Sequence, residues 1–103
     1  MRTMVIASNM IFDIDKIQNE LVQLPLGTIV VYPKCDWASS QIAKIAEEIK
    51  LETDEWNLQD YTIQDLIESD IDLCIVFSKN ECKETQHVLR KCRASKIETQ
   101  VVN

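Results

Sequence analysis

Glycine is nearly absent: Gly27 is the only one in 103 residues. That scarcity counts against any site in which a glycine-rich loop cradles phosphate. A Cβ obstructs the approach of backbone amides to the anion, and positive φ is costly without glycine. Long apolar runs are missing too. No stretch approaches the eighteen or so residues of a membrane-spanning helix, and "MVIASNMIF" (4 to 12) leads into acids rather than a small-residue cleavage site. The expectation is an unexported, cytoplasmic protein with no membrane contact. No CxxC pair occurs among Cys35, Cys74, Cys82 and Cys92, and His87 is the sole histidine. A zinc set is therefore not expected, and reduced thiols are favoured over a disulfide framework. The reading is of a chain with no metal and no cofactor.

What is present is an uneven distribution of charge around a net −6. Residues 47 to 72 hold ten acids against Lys50 alone, a local balance of −9. Lys79, Lys83, Arg90, Lys91, Arg93 and Lys96 then outnumber Glu81, Glu84 and Glu98. An acidic surface argues against direct nucleic-acid binding, where phosphate contacts supply most of the affinity. It suits a partner protein with a basic surface. The candidate face comprises Glu47, Glu48, Glu52, Asp54 and Glu55.

Hydrophobic patterning predicts a single α/β domain over 1–103. "RTMVIAS" (2 to 8), "TIVVYP" (28 to 33) and "DLCIVF" (72 to 77) have the apolar, mostly β-branched character of strands buried on both faces. Asp13 can cap a helix with Ile14, Ile17, Leu21 and Leu24 inward, stopped by Pro25 and Gly27. Asp36 or Ser39 opens a second, carrying Ile42, Ala43, Ile45, Ala46 and Ile49. "LETDEWN" (51 to 57) reads as a charged edge strand. Thr62 and Asp65 form a capping-box pair for a short third helix. Thr85, Val88, Leu89 and Cys92 make the inner stripe of the last helix, which leaves His87 outside, and "IETQVV" (97 to 102) closes with a strand. This alternation implies a parallel sheet with right-handed crossovers and helices on both faces.

Within that order, several segments resemble the SLOG Rossmann-like superfamily, relatives of the DNA-processing protein DprA and the Lonely-guy enzymes, and in particular its YspA-like branch. The family's opening strand leads into Thr-Gly-Ser-Arg, an aromatic and an aspartate; "IASNMIFD" (6 to 13) keeps Ser8 and Asp13. "PKCDWAS" (33 to 39) stands where the family has Gly-Gly-Ala-Arg-Gly-Ala-Asp and keeps Ala38. "DEW" (54 to 56) falls at the family's Ala-Asp-Trp. "FSKN" and "ECKET" (77 to 85) replace Pro-Gly-Gly-x-Gly-Thr, with Thr85 retained after a two-residue extension. The resemblance implies a five-stranded parallel sheet in the order 3-2-1-4-5. It also implies a cleft for nucleotide-derived ligands at the carboxyl edge, which some relatives use to hydrolyse N-glycosidic bonds of nucleoside monophosphates with an Arg and a Glu.

The departures fall on the chemistry. Asn9 stands at the family's first-loop Arg, and the loop glycines are replaced by Pro33, Lys34, Trp37, Glu81 and Glu84 among others. Two acids at a helix start take up its dipole themselves and repel an anion. The phosphate site therefore reads as overwritten, and the hydrolase activity is disfavoured. Ser8, Asn9, Cys35, Trp37, Ser39, Ser40, Trp56 and Thr85 remain as a candidate ligand cleft. Each has a plainer role open to it: the tryptophans as packing residues, Ser39 and Ser40 as helix-start residues. No neighbouring base in the sequence activates Cys35 or Cys82. The leading expectation is a non-catalytic regulator or inhibitor that binds another protein, of the kind viruses and mobile elements direct at host machinery. The alternative is a binder of a nucleotide or an ADP-ribose-derived small molecule.

Overall fold

In the computed structural model, the described residues are 1–7, 14–34, 37–57, 59–77 and 83–102, with residues 37–40 and 83–85 described in backbone only. The elements run β1 (Arg2–Ala7), α1 (Ile14–Leu21), β2 (Ile29–Lys34), α2 (Trp37–Glu48), β3 (Glu52–Asn57), α3 (Ile63–Ile67), β4 (Leu73–Phe77), α4 (Lys83–Ala94) and β5 (Glu98–Val102). All strands pair in parallel in one five-stranded sheet of order β3-β2-β1-β4-β5. This is a Rossmann-like α/β architecture. Among the described residues no helix is long and apolar enough to cross a membrane.

The near-continuous apolar runs of β1, β2 and β4 follow from burial on both faces. Val5, Val30, Tyr32, Ile75 and Phe77 meet Ile17 and Leu21 of α1 and Ile42, Ile45 and Ala46 of α2. Across the sheet, Met4, Val31, Cys74 and Val76 meet Leu66 and Ile67 of α3 and Val88 and Cys92 of α4. The expected helix stripes are found where side chains are described, which excludes Thr85; Leu24 and Ile49 join the same core from just beyond the ends of α1 and α2, and Ile14 departs from its stripe. Ile14 is 41% exposed, because the apolar contact of α1 is carried by Ile17 and Leu21 a turn further on.

Local chemistry sets the helix ends. The Thr62 hydroxyl accepts from the Asp65 amide at 3.2 Å, and the Asp65 carboxylate accepts from the Thr62 amide at 2.8 Å, the reciprocal pair of a capping box. Asp13 and Asp36, expected as caps, lie outside the described residues. Ser39 does not open α2, which already begins at Trp37.

The turns returning to the strands need a left-handed residue, and glycine supplies it once. Gly27 (φ 85) sits in the Pro25–Thr28 turn, closed by the Thr28 amide donating to Pro25 O at 3.2 Å. Elsewhere Lys50 (φ 63), Asp70 (φ 62) and Lys96 (φ 61) adopt that conformation. After α2, the Lys50 and Leu51 amides donate to the Glu47 and Ala46 carbonyls; after α4, those of Lys96 and Ile97 donate to Arg93 and Cys92. Both are Schellman endings, whose accompanying apolar residues, Leu51 and Ile97, join the cores that hold Ala46 and Cys92.

Thr3, in the central strand, is fully buried, and its hydroxyl has no hydrogen-bond partner among the described residues. Such a group forfeits its hydration without compensation. Thr3→Val keeps the shape and should raise the unfolding free energy by about 1–2 kcal/mol in urea titration. No gain from the substitution would show that the hydroxyl is satisfied.

Candidate functional site

Because all strands are parallel, the carboxyl ends of β1, β2 and β4 share one edge, and β1 lies between the other two. From β1 the connections run toward β2 and β3, and from β4 toward β5, so the strand order reverses between the neighbours β1 and β4, the switch point at which doubly wound sheets open a crevice. Of the expected cleft, Ser8, Asn9 and Cys35 lie outside the described residues, as do Glu81 and Cys82. Backbone alone places Trp37, Ser39 and Ser40 near the start of α2, and Glu84 and Thr85 near the start of α4.

Trp56 is described in full and is a packing residue. It lies partly buried against the cluster of Met4, Val31 and Leu66. Tyr61, 48% exposed, sets its ring edge-on at a centroid distance of 4.7 Å and an interplanar angle of 67°. The Trp56 indole nitrogen is buried and has no hydrogen-bond partner among the described residues.

Cys74 and Cys92 are buried, as the apolar patterning predicts, and they meet between β4 and α4. A side-chain hydrogen bond to Cys92 and burial push the Cys74 pKa far up, so that thiol stays protonated. His87 is exposed, as its position off the inner stripe requires.

The acidic residues fall together at the β3 edge, but they divide between two faces. Tyr32 pairs with Glu55 and belongs to the α1–α2 side; Ile29 and Val31 pair with Glu52 and Asp54 and belong to the α3–α4 side. Side chains alternate along a strand, so Glu55 projects with α2, while Glu52 and Asp54 project with α3. Asp54 requires a correction. Its carboxylate takes Nη2 of Arg2 at 3.0 Å, so its charge is neutralised within the fold rather than held free for a partner. This is the only ion pair among the described residues. Sequence spacing could not reveal it, since Arg2 reaches Asp54 across β2 from 52 residues away.

Glu47, Glu48, Glu52 and Glu55 are exposed and form no ion pair among the described residues. Glu47 and Glu48 also break a local rule. They end α2, whose last turn has no basic residue, at the negative pole of the helix dipole. Each costs the helix about 0.3–1 kcal/mol there at low salt. Glu47 and Glu55 both act on Tyr32. Burial first, then the Glu55 and Glu47 charges, raise the phenol above its ordinary 10.0. Their shared effect shows that a helix end and an edge strand contribute to one field.

A raised phenol means that the folded state holds its proton longer than the unfolded chain. The Tyr32 contribution to stability is therefore complete below pH 10.0 and is lost as pH climbs through the folded-state value. In a Tyr61→Phe background, the tyrosinate absorbance reports Tyr32 alone. Glu47→Gln with Glu55→Gln should move that titration to lower pH without returning it to the ordinary value, since burial remains. An unmoved titration would show that the carboxylates do not act on Tyr32.

No family model, no curated protein and no solved structure matches this chain.

Proposed function

We propose that this chain is a non-catalytic regulator or inhibitor that binds a protein with a basic surface through the carboxylates at the β3 edge. The observation carrying the reading is the pair at the end of α2. Glu47 and Glu48 sit where the helix dipole disfavours them, neither forms an ion pair within the described residues, and Glu47 shares with Glu55 an effect on Tyr32. Departures from local stability rules of this kind concentrate where a protein works. The eroded glycine loops, read as a worn SLOG-like scaffold, agree with binding rather than catalysis.

The switch point at the carboxyl edge favours a second reading, a nucleotide or ADP-ribose-derived ligand. Two measurements separate the readings. Affinity capture with the unmodified chain, compared with a Glu47→Lys, Glu48→Lys, Glu55→Lys variant, should lose its partner, with binding weakened at least about tenfold. Calorimetry against a panel of nucleotides and cyclic ADP-ribose-type ligands should show no tight binding. Micromolar or tighter binding of any of them would install the second reading in place of the first.

A further inference from the structure

We infer that the free edge of β3 receives an extended, lysine- or arginine-rich segment of the partner protein as an additional strand, with basic residues three positions apart opposite Glu52 and Glu55. The inference rests on the proposed function and specifies how the partner is held. β3 pairs with β2 through all six of its residues, from Ile29↔Glu52 to Lys34↔Asn57, and ends the sheet. Its other side has no strand partner among the described residues, so its outward amides and carbonyls remain a template for a further strand.

The side chains choose the occupant. A second copy of β3 would bring carboxylates close to carboxylates, which disfavours self-pairing. A basic strand meets opposite charge instead, so the same residues repel one partner and attract another. Glu52 and Glu55 lie three apart and therefore on opposite faces, with Glu47 and Glu48 of α2 on the Glu55 side. Asp54 is held by Arg2, which leaves Glu52 as the free carboxylate of the strand on the α3 side. An incoming strand thus needs a lysine or arginine on each face, spaced i and i+3. The opposite edge has no such selectivity: β5 carries only Glu98 as a charge, and its Gln100 amide is engaged by Glu20 at 3.1 Å.

The test uses a short, end-blocked synthetic peptide of alternating valine and threonine with two lysines three positions apart. Two further versions carry N-methyl groups on the amides of one edge or the other. Methylation leaves the charge unchanged and removes strand pairing along the methylated edge. Fluorescence anisotropy should show the parent peptide binding. One methylated version should bind at least about tenfold more weakly, and the other about as well as the parent. Bound peptide should slow hydrogen exchange of amides in residues 52–57, and Glu52→Lys with Glu55→Lys should abolish binding while the circular dichroism spectrum is kept. Equal binding of all three peptides would overturn strand addition and leave a charge-only contact, with the proposed function standing. If no peptide binds while the lysine variants still lose a captured protein, the inference falls alone. If the lysine variants lose nothing either, both fall.

Discussion

Lys50→Gly, Asp70→Gly and Lys96→Gly combined should raise the unfolding free energy by about 2 kcal/mol, and the unfolding midpoint by roughly 10 °C for a domain of this size. All three residues hold φ near +60° at exposed turns. A Cβ in that conformation costs about 1–2 kcal/mol, and the greater freedom of glycine in the unfolded chain takes back about half. The turns share no partner among the described residues, so the gains should add nearly independently. Gly27→Ala should have the opposite sign. Nothing lies within 4 Å of the added Cβ, so its cost of about 1 kcal/mol is strain of the φ 85 backbone alone. Urea titration of each single variant beside the triple is the measurement, and a triple variant no more stable than the parent would refute the argument.

Arg2→Met should lower stability by about 1–2 kcal/mol while tightening the hold on a basic partner. The guanidinium of Arg2 ties the central strand to two other places. Nη2 donates to Asp54 at 3.0 Å and to the Ser69 hydroxyl at 3.3 Å, and Nε donates to Ser69 O at 2.9 Å. Methionine keeps much of the apolar stem and loses every one of these bonds. The Asp54 contact supplies the smaller part, because its side chains are 26% and 38% exposed and water screens them. The substitution also frees the Asp54 carboxylate, adding a negative charge at the edge proposed to bind. Stability by urea titration and affinity for the lysine peptide should therefore move in opposite directions. A fall in both would mean that Arg2 supports the binding edge instead of masking a carboxylate in it.

Residue order alone determined the alternation of elements, since each segment's own spacing records which side chains leave water. Ile17 and Leu21, Ile42 and Ile45, and Val88 and Cys92 are buried at the helical intervals their positions imply. The capping box of Thr62 and Asp65 is likewise a local matter of residues three apart, and the charge of β3 marked it as an edge before any pairing was known. Other features depend on chain segments that meet only after folding. Arg2 and Asp54 are joined across β2, and this contact removes from the acidic face a residue that composition had assigned to it. Glu47 and Glu55 act together on Tyr32 because α2 covers the face on which Glu55 projects. Tyr61, beyond the end of β3, meets the Trp56 ring, a contact that spacing alone does not announce. Periodicity reports how each segment divides between core and solvent; which charges become neighbours is set by strand register and by the crossovers, and only the closed tertiary structure supplies those.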